Sequence, residues 1–151
     1  MESTFKILMT NRNIHLSFLE KYTLEQLNNT PQGFSNDLVW NVGHIIAVQQ
    51  RLAYILAGLP MNITDEFFEK HKPGSKPTGN ATQTEVDILK GLVLTLAEKT
   101  IEDYKNGVFV NCKEITTLTG FNLSSTADAF QFINYHEGLH LGLMMNIRKF
   151  V

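Results

Sequence analysis

The sequence predicts an all-α protein, a four-helix bundle with long connections between helices two and three and between helices three and four. Three observations carry that prediction. Four long stretches repeat apolar residues at the 3–4 spacing of a helix face. Helix start and stop residues bracket most of them. Strand-like alternation is confined to a few residues between the last two stretches. At 151 residues the chain fits a single domain, residues 1–151, long enough to bury a full core.

The first helix is expected over Thr4–Lys21, where Phe5, Leu8, Ile14, His15, Phe18, Leu19 and then Tyr22 hold mostly helical spacing. Thr23-Leu-Glu-Gln26 has the spacing of a capping box and predicts a short extra turn, ended by Pro31, Gln32 and Gly33. The second helix starts at Ser35 or Asn36 and runs to about Ala57, with Gly58 and Pro60 as stop signals. It is apolar around most of its circumference, which predicts a largely buried helix. Leu59–Asn80 is a long connection with one helical turn at Asp65–Lys70 and a second half rich in Pro, Gly and Lys. Such a connection can join neighbouring helices that run parallel, which a short turn cannot. The third helix opens with the capping box Thr82-Gln-Thr-Glu85 and runs to Asn106-Gly107. Val108–Leu123 reads as a short hairpin or an extended loop. The fourth helix starts at Ser124 or Ser125 and continues to about Lys149.

Composition narrows the function. Hydrophobic residues make up 43% and charged residues 19%, below the usual quarter, so part of the surface is expected to be covered by a second subunit in a homodimer. The net charge of −2 and the lack of a Lys/Arg run argue against a nucleic-acid or anionic-membrane partner. One cysteine, Cys112, rules out an intrachain disulfide. With no signal-like leader and no membrane-length apolar run, a cytoplasmic protein is expected.

The chemistry gathers on three histidines. His136 and His140 stand one turn apart on the fourth helix, with Cβ atoms about 5–6 Å apart. They fall on the seam Ala129, Phe132, Ile133, His136, His140, Leu143, Met144, Ile147, where apolar residues are expected. His44 lies on a packed seam of the second helix at a similar height, counting about 1.5 Å per residue. A lone buried histidine is usually a hydrogen-bonded core residue. Three together leave six ring nitrogens to satisfy, and an unpaired buried polar group costs about 1–3 kcal/mol. One divalent metal answers three of those demands, so His44, His136 and His140 are the expected ligands. Three imidazoles and an open fourth position suit a catalytic metal that activates a water or a thiol. Imidazole accepts Zn, Ni, Fe or Cu, so the donors do not name the metal.

His136-Glu-Gly-Leu-His140 also satisfies the His-Glu-x-x-His pattern of zinc metallopeptidases, in which Glu137 would be the catalytic base. Against that reading, no His, Asp or Glu follows His140 to serve as a downstream ligand. Asn41, one turn before His44, is expected to support the site. His15 is expected to pack in the core or lie half exposed, with a fourth-ligand role as the alternative. His71, between Lys70 and Lys72, reads as a solvated loop residue whose lysine neighbours could attract an anionic substrate. Cys112 has no activating neighbour.

Trp40-Asn-Val-Gly-His44, His136-x-x-x-His140-x-Gly142 and the segment Leu56-Ala-Gly-Leu-Pro60 together resemble the DinB-like family, which includes YfiT-type metal-dependent hydrolases and thiol-dependent transferases. The resemblance spans nearly the whole chain. It implies up-down-down-up connectivity, a metal on the histidines that align with His44, His136 and His140, and frequently a dimer. It also implies chemistry in which a divalent metal such as Zn, Ni or Fe activates a low-molecular-weight thiol or water toward a small-molecule substrate. The other class it leaves open is a non-catalytic stress-response bundle with a structural or vestigial metal. Many relatives carry Gln where this chain has Leu143, so no role of that Gln transfers.

Overall fold

The computed structural model describes residues 1–151, and it is mostly helical. In chain order it contains α1 (Glu2–Lys21), α2 (Leu24–Asn28), α3 (Leu38–Gln50), α4 (Asp65–His71), α5 (Gln83–Lys105), β1 (Ile115–Thr116), β2 (Asn122–Leu123) and α6 (Thr126–Ile147). Helix α3 does not stop at Gln50 but widens into a π-helical turn over Arg51–Ile55. The long helices pack on one another: α1 against α5 and α6, α3 against α5 and α6, with short α4 laid on α3. No helix is long and apolar enough to cross a membrane.

Both capping boxes form. Thr23 and Gln26 satisfy each other's backbone N–H groups at α2, and Thr82 and Glu85 do so at α5. The expected turn at Asp65–Lys70 is α4, capped by the Thr64 hydroxyl. The start of α3 differs from expectation. Asp37, rather than Ser35 or Asn36, is the cap, its carboxylate accepting the Trp40 N–H at 2.7 Å. Asp37 is only 2% exposed, and a buried carboxylate must find donors, which the free N–H groups of a helix start supply. Of the two readings for 108–123, a minimal antiparallel hairpin forms, pairing Ile115 with Leu123 and Thr116 with Asn122, with irregular chain around it. Helix α6 ends at Ile147, two residues short of the expected end.

Every residue of α3 is buried, its largely apolar circumference accompanied by the polar Asn41, His44, Gln49 and Gln50. Two apolar clusters fill the interior. One gathers Leu38, Val42, Ile45, Val93, Met144 and Ile147, and the other Phe5, Leu8, Val48, Ala97, Phe130 and Ile133. Burying each such side chain stabilises the fold by about 1.5–3 kcal/mol. Between the clusters lies a polar layer that the sequence pattern did not reveal. Arg12 of α1, fully buried, donates to Glu137 of α6 at 2.8 Å, to the Val93 carbonyl of α5 at 3.3 Å, and to the Ile45 carbonyl of α3 at 3.4 Å. One guanidinium thus bonds to three other long helices.

That layer corrects the expected seam of α6. Its buried residues are Ala129, Phe130, Ile133, Glu137, Met144 and Ile147, while His136 and His140 are half-buried on the shoulder. The helix is turned so that Glu137 meets Arg12 in the core, and the histidines therefore lie at the margin of the core.

Candidate metal centre

Helix α3 supplies His44 and α6 supplies His136 and His140, and the three rings converge. Ring centroids are 4.5 Å apart for His136 and His140, 4.7 Å for His44 and His140, and 5.2 Å for His44 and His136. One nitrogen from each ring lies within 4.8 Å of the other two. The spacing of one turn along α6 brings its two rings together, and the packing of α3 on α6 brings the third.

The surroundings set which nitrogen each ring offers. His44 Nδ1 is 2.7 Å from the His71 carbonyl, and His140 Nδ1 is 2.7 Å from Asn41 Oδ1. Both partners are acceptors, because the Asn41 amide nitrogen is already donating to the Asp37 carbonyl at 2.6 Å. Both Nδ1 atoms must then carry the proton, which leaves both Nε2 lone pairs free. Trp40 stacks on His44 with centroids 4.5 Å apart and planes 13° from parallel, covering one face of that ring. The expected supporting role of Asn41 thus has a physical form: it fixes a tautomer.

Burial keeps all five histidines neutral. Desolvation lowers His136 to about 3, reinforced by His140 and His44, lowers His140 to about 4, reinforced by His44, and lowers His44 as well. The same cause brings His15 to about 3 and His71 to about 4. A neutral imidazole is the form that donates to a metal. Three deprotonated nitrogens converging on one point, two of them held in register through their other nitrogen, fit a divalent cation with bonds of about 2.0–2.1 Å after small ring movements.

The shifts have a consequence for the metal-free protein. The unfolded chain takes up protons on these histidines from about pH 6.5 downward, while the folded chain does not until about 3 to 4. Stability is therefore fully present above 6.5 and is lost as the pH falls toward 4, by at most about 1.4 kcal/mol per pH unit for each proton. Asp37 works in the opposite sense. Burial raises it to about 6, so its contribution is present below 3.8 and lost as the pH rises through 6. Burial raises the Glu137 carboxyl as well, in the same sense as Asp37, and two carboxyls against five lowered imidazoles leave a net loss toward acid. Urea unfolding with a chelator present, at pH 7.5, 6 and 5, is expected to show the midpoint falling.

Several single residues depart from expectation. His71 is buried rather than solvated, at 5% exposure, its Nδ1 meeting the Phe67 carbonyl at 3.0 Å and its ring lying on Gly43. A glycine inside an otherwise apolar helix was the available signal for that close approach. The loop lysines are occupied, Lys70 by Glu85 and Lys72 by Glu69, which limits their pull on an anion. His15 is fully buried with neither ring nitrogen hydrogen-bonded, and it is not part of the convergent trio. Glu137 binds Arg12, and its other oxygen has no partner. Burial raises the Cys112 thiol, which keeps it protonated.

A Cβ on residue 43 would overlap the His71 ring, so Gly43→Ala forces α4 away from α3. Overpacking of this kind costs about 1–3 kcal/mol. Limited proteolysis is expected to cut the Asp65–Gly79 region of this variant faster than in the parent, alongside a lower urea midpoint.

The family model described as the DinB superfamily matches residues 8–144. No curated protein matches the chain.

Proposed function

The chain belongs to the DinB superfamily, and we propose that it holds one divalent cation on His44, His136 and His140 and uses it as a hydrolase or thiol-dependent transferase on a small molecule. The observation that carries this reading is the pair of Nδ1–H bonds to the His71 carbonyl and Asn41, which aim two of the three imidazoles. Zinc, nickel or iron bound there would supply Lewis acidity, lowering the pKa of a water or a low-molecular-weight thiol. The protein's own part is to present three neutral donors, to cover His44 with Trp40, and to leave His136 and His140 half-open to an incoming molecule.

The four long helices are read as an up-down-down-up bundle forming one domain over residues 1–151. Support for a homodimer comes from apolar surface: Phe121 and Tyr135 pack with tilted rings 4.9 Å apart yet are 44% and 43% exposed, and Leu139, one turn along α6, is 52% exposed. Glu137 is assigned to the Arg12 pair rather than to base catalysis, because its carboxylate is fully buried in the core while His136 and His140 lie half-buried at its margin. This weighs against the peptidase reading.

The test is a cobalt titration of the metal-free protein followed by thiol or azide. Visible bands for one Co²⁺ per chain that shift on adding either are expected. Bands that ignore both leave the non-catalytic alternative, and no binding at all removes the proposal. Asn41→Ala is expected to weaken cation binding about 10- to 100-fold in chelator competition, with the helical CD signal retained.

A further inference from the structure

We propose that the space between α4 and α5 is a second binding site, for a small apolar molecule whose polar end is neutral or cationic. A cavity of about 460 Å³ lies there, and none of the three clustered histidines lines it. Small-molecule sites occupy about 300–1,000 Å³. Val39 of α3, Ile63 and Phe67 on the α4 side, and Leu89 and Leu92 of α5 form its walls.

The cavity is framed on the α4 side. Lys70 crosses from α4 to Glu85 of α5. At the other end the Asn62 backbone N–H donates to Gln50 Oε1 at 2.8 Å, and the Asn62 side chain donates to the same oxygen at 3.3 Å. The seat of His71 on Gly43 fixes α4 against α3. Helix α4 therefore stands over an apolar space, whose walls offer dispersion contacts to an apolar occupant.

The polar groups around it define the occupant. The Thr64 hydroxyl is used as the α4 cap, Asn62 is bonded to Gln50, and His71 Nδ1 is bonded to Phe67, so the walls offer mainly apolar contact. At the rim, Glu66 and Glu85 outnumber Lys70, which already pairs with Glu85. An anionic end meets excess negative charge there, whereas an ammonium is matched. This site stands whether or not a cation binds the histidines.

The test uses the full chain and the neutral fluorophore N-phenyl-1-naphthylamine, displaced by 2-phenylethylamine or by phenylacetate. The amine is expected to displace it at about tenfold lower concentration than the acid, the effect of about one like-charge contact. Leu92→Trp and Ile63→Trp, which fill the space, are expected to weaken the fluorophore at least about tenfold with unchanged CD spectra. Absence of binding, binding that survives both folded variants, or equal displacement by the acid overturns the proposal. Should both variants unfold, amide shifts in the parent decide it: shifts at Ile63, Phe67 and Leu92 support the site, and shifts confined elsewhere sink it.

Discussion

Replacing His136 and His140 together by alanine is expected to lower affinity for Zn²⁺ or Co²⁺ by more than about a hundredfold, beyond the effect of removing an outer hydrogen-bond partner. Two of the three donors disappear, and His44 is left as the last member of the trio. The fold should survive, because both side chains sit half-buried on the shoulder of α6 while Ile133, Glu137 and Met144 hold its core face. The histidines' own desolvation makes a second, independent readout. With two of the depressed imidazoles gone, the metal-free variant should lose less stability than the parent between pH 6.5 and 4. His15→Leu is the control for cation affinity, which it should leave unchanged because His15 lies outside the trio, while its own lowered imidazole gives it a share in the pH dependence. Cation affinity that stays within about threefold of the parent in the double variant would mean that the metal binds somewhere else.

The trio was legible because two simple regularities coincide: a one-turn spacing on α6 and matching heights on helices whose apolar faces must meet. The capping boxes at Thr23 and Thr82 were legible for a similar reason, each being a local bargain among four consecutive residues. What the sequence hid was long-range. Arg12 sits among residues that read as an ordinary helix, and only the approach of Glu137, 125 residues away in sequence, makes its burial possible. The apolar count along α6 therefore placed the histidines in the core and Glu137 off it, the reverse of what is found. His71 was read as solvated because Lys70 and Lys72 flank it, yet α4 turns those lysines toward Glu85 and Glu69 and drops the imidazole onto Gly43. Asp37 was missed as a cap because Ser35 and Asn36 precede it with equally good propensities, and burial decided among them.

Arg12→Met is expected to cost about 3–5 kcal/mol, as does breaking a buried ion pair from one side, because it leaves the Glu137 carboxylate in the core with no partner. The pair is 2.7 Å apart with side chains 0% and 1% exposed, so neither charge is shared with water. The signature lies in the pH dependence of the difference from the parent. Burial raises Glu137, and in the parent the guanidinium pulls against that rise. Without Arg12 the rise is unopposed. The folded variant then holds a proton that the unfolded chain releases above about pH 4.3, so its deficit grows as the pH rises and narrows as it falls. Urea unfolding at pH 5 and pH 8 with a chelator, variant against parent, reads this directly. A gap that is constant with pH would mean that Arg12 acts through the Val93 and Ile45 carbonyls instead. Arg12→Met combined with Glu137→Leu removes both charges and is expected to recover most of the loss, since apolar replacements of buried pairs are often neutral or stabilising. Glu137 follows His136 directly and sits three residues before His140, so the pair also sets the rotation of α6 that brings those rings to His44. The double variant is therefore expected to fold well and to bind the cation more weakly than the parent, a separation of stability from site geometry that a purely stabilising ion pair would not produce.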